Sequence, residues 1–168
     1  MKAPLFYSKI LLFGEYGIIK NSKGLSIPYN FFKGGFKIGS FENKNVKESN
    51  SNLIDFKNFL TKIDKSVVEF DFDKLEEDLK KGMFFDSSIP QGYGVGSSGA
   101  LVAALYDRYA LNKITVLENL TKPKILILKN IFSRMESFFH GKSSGLDPLN
   151  SYLSLPILIH SKNEIETT

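Results

Sequence analysis

Ile89-Pro90-Gln91-Gly92-Tyr93-Gly94-Val95-Gly96-Ser97-Ser98-Gly99-Ala100 lies near the middle of the chain and orders everything around it. Gly92, Gly94 and Gly96 alternate, two serines follow, and an alanine-rich apolar run begins. Glycine tolerates φ > 0 and lets the backbone lie against a ligand. A helix that opens just after such a loop turns free N–H groups and a positive dipole end toward it. Together these features predict an anion cradle, with phosphate the expected ligand. The serine hydroxyls add donors that reach a phosphate oxygen or a bound Mg²⁺. A plain turn before a helix needs one glycine, so the repetition argues for a ligand.

The 168 residues suffice for one domain with a real core. Cysteine is absent, which excludes disulfides, thiolate zinc sites and a cysteine nucleophile, and agrees with a reducing compartment. The net charge of +4 is mild, and the lysines are scattered among Asp and Glu. No basic stripe with interleaved aromatics marks a nucleic-acid surface. The balance suits a polyphosphate ligand weakly. Lys2 precedes an apolar stretch, but Ile10-Leu11-Leu12-Phe13 is closed by Gly14-Glu15. That is shorter than the roughly 7–15 apolar residues of a signal peptide. No run approaches the ~18 residues of a membrane span. The expectation is a cytoplasmic protein with neither a nucleic-acid nor a membrane partner.

Along the chain, residues 5–13 read as a strand entering a core. Ile18-Ile19 and Leu25–Ile27 flank a turn at 21–24 and predict a hairpin. Residues 29–41 predict further β-structure interrupted at Gly34-Gly35, and the polar stretch 42–52 predicts a surface loop. Leu53, Phe56, Leu60 and Ile63 recur at helical spacing, and Val67–Phe70 is β-like. Asp73 is the expected cap of a helix over 74–81, ended by Gly82. Residues 83–89 predict a strand feeding the glycine loop, 99–111 a helix buried on most sides, and 115–120 a short helix. Thr121-Lys122-Pro123 opens a helix whose apolar face runs to Phe139 and which ends at Gly141. Asp147-Pro148 starts another element, and 156–160 reads as a strand that wants a partner.

Two further constellations carry chemistry. Glu136 sits near a helix end, and Asp147 lies eleven positions on, past a Gly/Ser-rich loop. That layout can return Asp147 toward Glu136. Each carboxylate alone suits solvent or a cap, but a phosphate cradle needs Mg²⁺, which takes few carboxylates plus phosphate oxygens. In Tyr7-Ser8-Lys9-Ile10, Lys9 interrupts an apolar strand. It faces water at a strand edge, or it neutralises charge at a reacting centre.

The order Ser8-Lys9…Gly14-Glu15, Pro90…Gly92–Ser98, Glu136…His140-Gly141…Ser144-Gly145-Leu146-Asp147 resembles the GHMP small-molecule kinases. The match runs over nearly the whole chain, and within the family the mevalonate kinases carry the nearest pattern. The resemblance implies an α+β domain, a mixed or antiparallel sheet packed on helices, with the glycine loop opening a buried helix. It implies an ATP- and Mg²⁺-dependent kinase acting on the hydroxyl of a small-molecule alcohol, mevalonate above others. Gly92, Tyr93, Gly94, Val95, Gly96, Ser97 and Ser98 would hold the ATP phosphates. Ser98 and Glu136 would hold Mg²⁺, Asp147 would accept the hydroxyl proton, and Lys9 would polarise that centre. Glu15 and Tyr16 would lie near the substrate. Phosphoryl transfer asks for positioning and charge neutralisation, which suits this residue set.

Three departures stand out. Tyr16 occupies a position where mevalonate kinases usually have histidine, which loosens the acceptor's identity. Gly99 replaces an alanine and should weaken the helix start. The family's second domain, with its own glycine-rich motif, is not found here. Residues 1–168 are therefore expected to be the N-terminal, ATP-binding domain, on which a C-terminal domain packs, and to turn over little alone. A homodimer is a further open expectation. Other GHMP kinases, the diphosphomevalonate decarboxylase and a silent nucleotide-binding regulator of the same fold remain alternatives. Gly94-x-Gly96-x-x-Gly99 satisfies a dinucleotide fingerprint, but no strand-terminal acidic residue follows about 20 positions on. The Gly-Lys-Ser/Thr of a P-loop and the His-Arg-Asp and Asp-Phe-Gly of protein kinases are missing.

Overall fold

The apolar alternation of residues 6–13 does become a strand, and it enters an antiparallel sheet. The computed structural model describes residues 4–14, 23–116, 120–161 and 163–167. Its elements are β1 (Phe6–Phe13), β2 (Gly24–Ile38), α1 (Lys44–Leu60), β3 (Glu69–Phe70), α2 (Phe72–Lys80) and β4 (Met83–Ser87). After these come α3 (Ser97–Tyr109), β5 (Ala110–Leu111), α4 (Lys122–His140), α5 (Leu146–Leu153), β6 (Ile157–Ser161) and β7 (Glu164–Thr167).

The long strand β2 is the spine of the main sheet. β1 pairs along one edge, while β6 and β4 pair in tandem along the other, and β7 adds to β6. Leu25–Ile27 thus pairs with β1 across the chain reversal. The other arm of the expected 18–27 hairpin lies outside the described residues, as do positions 117–119 of the expected 115–120 helix.

The expected break at Gly34-Gly35 does not occur. Gly34 and Gly35 stay in register opposite Ser87 and Asp86. Gly34 is needed for room, because a Cβ there would fall 2.5 Å from the Phe85 ring. The irregularity comes earlier: Tyr7 pairs with Lys33 and Ser8 with Tyr29, so residues 30–32 bulge from the ladder.

Residues 42–52 are not a loop either, since α1 starts at Lys44. The Asn43 side chain caps it by accepting from the N–H groups of Asn45 and Val46. Val46, Asn50, Leu53, Phe56 and Leu60 form one buried face. Asn50 passes unnoticed in a polar run, yet its Nδ2 donates to the carbonyls of Leu79 and Met83 at 2.9 and 2.7 Å. Those bonds satisfy a buried amide and pin α1 to the α2–β4 turn. The cap of α2 is likewise Asp71, whose carboxylate accepts from Lys74 N–H at 3.0 Å. Asp73 sits in the first turn, where its charge complements the dipole.

Helices α3 and α5 lie against β1 and β2, and α4 packs on both. Ala100, Val102, Ala103, Ala104 and Leu105 are fully buried, which fits a central helix hemmed in on most sides. Helix α3 begins at Ser97, two residues earlier than its apolar run suggests. Tyr106, Phe132 and Tyr152 join α3, α4 and α5 edge to face, with ring centroids 5.1–5.5 Å apart. Among the described residues no helix is long and apolar enough to cross a membrane.

Candidate active site

The glycine loop is built from backbone conformation. Gly92, Gly94 and Gly96 have φ of +81°, +68° and +86°, a region closed to most side chains. A Cβ on Gly92 or Gly94 would meet open space. At Gly96 it would press on Lys9 Cγ at 3.2 Å. The loop is moored to β1 by the Lys9 N–H, which donates to the Val95 carbonyl at 2.9 Å. Gly96 caps α3 with no side chain to satisfy the first-turn N–H groups, and that turn holds no acidic residue. The helix start therefore presents donors and positive potential to an anion.

A cavity of about 660 Å³ opens beside this loop. Gly92, Ser97 and Ser98 border it on one side, and Leu53, Phe85 and Phe138 supply apolar wall. Its size and mixed lining suit a small organic ligand.

Ser98 and Glu136 meet as expected. The Ser98 hydroxyl donates to Glu136 Oε1 at 2.9 Å and lies 3.0 Å from His140 Nε2. The Ser143 hydroxyl donates to the other carboxylate oxygen. Glu136 is only 3 % exposed. Burial pushes its pKa up and the charge of Asp147 adds to this, against hydrogen bonds from Ser143 and Ser98 and the His140 imidazole, which pull it down. A buried carboxylate flanked by hydroxyl oxygen is a donor set that a hard divalent cation would complete. Among the described residues no three of His, Cys, Asp and Glu gather tightly enough to hold a metal alone. The pair Ser98 and Glu136 thus suits an ion that brings phosphate oxygens and water of its own.

Lys9 is not a solvated edge lysine. It is 8 % exposed, and its Nζ lies 3.0 Å from Asp147 Oδ1. Asp147 stands in the first turn of α5, which starts at Gly145 with φ +77°. The pair joins β1 to α5 directly below the glycine loop. Tyr93 points outward, 80 % exposed. Glu15 and Tyr16 lie outside the described residues.

Sequence reasoning overlooked two residues here. Ser143 counts in the sequence only as part of a Gly/Ser-rich loop, and its distance of seven positions from Glu136 gives no periodic signal. Gly99 was read as a weak helix former, whereas a Cβ there would lie 2.8 Å from the Asp147 carbonyl carbon.

The model of the family described as GHMP kinases N terminal domain matches residues 60–154. No curated protein matches the sequence. Among solved structures, the Methanococcus jannaschii mevalonate kinase superposes with a TM-score of 0.55 at 21 % identity, over 99 % of this chain and 55 % of that one. Mevalonate kinase from methicillin-resistant Staphylococcus aureus MRSA252 gives 0.52 at 19 %, over 98 % and 54 %. L. major mevalonate kinase, solved in complex with R-mevalonate, gives 0.50 at 18 %, over 100 % and 52 %. The likeness at these identities is one of fold, and the chain spans about half the length of these proteins.

Proposed function

The chain belongs to the GHMP kinase family, and from that premise we propose that it serves the ATP- and Mg²⁺-dependent phosphorylation of a small-molecule alcohol, with mevalonate as acceptor. The observation that carries this reading is the Lys9–Asp147 pair, 3.0 Å apart beneath the loop that would hold the phosphates. The fold likeness to three mevalonate kinases supports the choice of acceptor.

The geometry supports the following assignment of roles. The N–H groups at the start of α3 and the backbone of Gly92–Ser98 would bind the phosphates, with the nucleoside in the adjoining cavity. Ser98 and Glu136 would hold Mg²⁺, which when bound neutralises charge on the phosphate oxygens. Asp147 takes the proton of the acceptor hydroxyl as its oxygen bonds to the γ-phosphorus. The bond from that phosphorus to the bridging oxygen breaks, and ADP leaves. Lys9 orients the Asp147 carboxylate and offsets the charge that builds up beside it. The length of the relatives that this chain does not span would complete the acceptor site. A cytoplasmic location, where ATP is abundant, is part of the same proposal.

The test is ADP release by the protein in its full natural length, with ATP and Mg²⁺. Mevalonate, phosphomevalonate, homoserine, galactose and a heptose phosphate serve as acceptors. Turnover on mevalonate alone supports the proposal. Turnover on another acceptor keeps the chemistry and rejects the substrate. Silence on all five with ATP still bound favours a regulatory nucleotide-binding protein.

A further inference from the structure

The candidate site closes into a ring of contacts, and one link in it has no role in the reaction just described. Ser98 bonds Glu136 Oε1, and Ser143 bonds Glu136 Oε2. The Gly145 N–H donates to the Ser143 hydroxyl at 3.1 Å, and Gly145 caps the helix that carries Asp147. Asp147 pairs with Lys9, whose own N–H holds Val95, next to the residue that caps the Ser98 helix. Ser143 is the only side chain in this ring that touches both the carboxylate half and the Asp147 half.

Its surroundings make it a fixed point. The Ser143 carbonyl accepts from the Ser133 hydroxyl on α4, one turn before Glu136. Two residues on, a Cβ at Gly145 would fall 2.2 Å from the Lys129 carbonyl, so the loop is pressed onto that helix. The terminal torsion of a glutamate is broad and roughly two-fold. A donor on Oε1 alone leaves the carboxylate free to swing, and a second donor on Oε2 sets its plane.

We propose that Ser143 is a positioning residue: its hydroxyl fixes the rotation of the Glu136 carboxylate and ties it to the turn that launches α5. The separation between the metal-ligating oxygen and Asp147 is then held constant. This rests on the reading of Glu136 as a metal ligand. Hydrogen bonds to charged groups are the stronger kind, so losing this one should cost about 10-fold in metal affinity.

The experiment uses the protein in its full natural length with a non-hydrolysable ATP analogue. Mn²⁺ binding is followed by electron paramagnetic resonance, with melting temperature and kcat measured beside it. The variants are Ser143→Ala, Ser143→Thr and Glu136→Gln. Threonine keeps the hydroxyl, and Ser143 borders a cavity of about 570 Å³ with room for the added methyl. The expected result is weakened Mn²⁺ binding and reduced kcat in Ser143→Ala, both largely restored in Ser143→Thr. Normal Mn²⁺ binding in Ser143→Ala, with loss in Glu136→Gln, overturns the proposal and spares the metal reading. Equal loss in both Ser143 variants also overturns it, assigning Ser143 to loop packing. Unchanged binding in all three removes Glu136 as a ligand, and the proposal with it.

Discussion

Gly99 and Asp147 lie back to back where α3 crosses the start of α5. A Cβ on Gly99 would meet the Asp147 carbonyl carbon at 2.8 Å and the Pro148 nitrogen at 2.9 Å. Both are backbone atoms, so neither can rotate away. The absence of a side chain at residue 99 thus sets how near the proposed base comes to the helix that follows the glycine loop.

Gly99→Ala tests this directly. Helix propensity alone favours alanine by about 1 kcal/mol. Overpacking a tight site costs about 1–3 kcal/mol. The expected outcome is a lower melting temperature and a lower kcat with ATP affinity little changed. A variant that melts higher than the parent and keeps its kcat would show that the two helices do not touch here.

Asp147→Asn keeps the shape and removes the base. A general base contributes about 10²–10⁴-fold, and kcat should fall by that order while nucleotide binding persists. Calorimetric titration with ATP beside a turnover assay separates the two effects. Undiminished turnover would reassign the proton acceptor.

Ser98→Ala removes the hydroxyl facing Glu136 Oε1. The expected change is a higher Mg²⁺ concentration for half-maximal rate, with kcat recovering at saturating metal. An unaltered metal titration would mean that Ser98 is no ligand.

Glu136→Gln has a signature in pH. Burial raises the Glu136 pKa above its ordinary value of 4.5. Between 4.5 and the raised value, the folded state keeps a proton that the unfolded state has released. This contribution to metal-free stability is therefore greatest at low pH and falls as pH rises through that window. The glutamine variant carries no such penalty. It should melt higher than the parent near neutrality, and the gain should vanish on acidification. A gain that is the same at every pH would locate its cause elsewhere than in ionisation of this carboxyl.

The glycine loop was legible because few roles besides ligand approach explain alternating glycines, and all three adopt the positive φ their identity implies. Helix α4 was legible because Pro123 and Gly141 bracket a long apolar face. The first turns of α1 were not, because Asn50 does there what leucine usually does. A buried amide that satisfies two carbonyls is indistinguishable in sequence from a solvated one. Lys9 posed the same difficulty, since a lysine in a strand reads as an edge until its partner is known, and Asp147 comes from a distant element. Ser143 was hidden for a related reason: its hydrogen bonds follow from the loop's path, which local composition does not encode.

Lys9 and Asp147 also set a schedule for synthesis. One belongs to the first strand and the other to the last helix, with most of the chain between them. Contacts of such long range form late, after the loop-closure entropy of the intervening segment has been met. On the ribosome the glycine loop emerges well before Asp147, the proposed proton acceptor. Until α5 is made, Lys9 lacks the Asp147 carboxylate that it pairs with in the finished fold. Under the proposed roles, activity regained during refolding would report the docking of α5 beside β1.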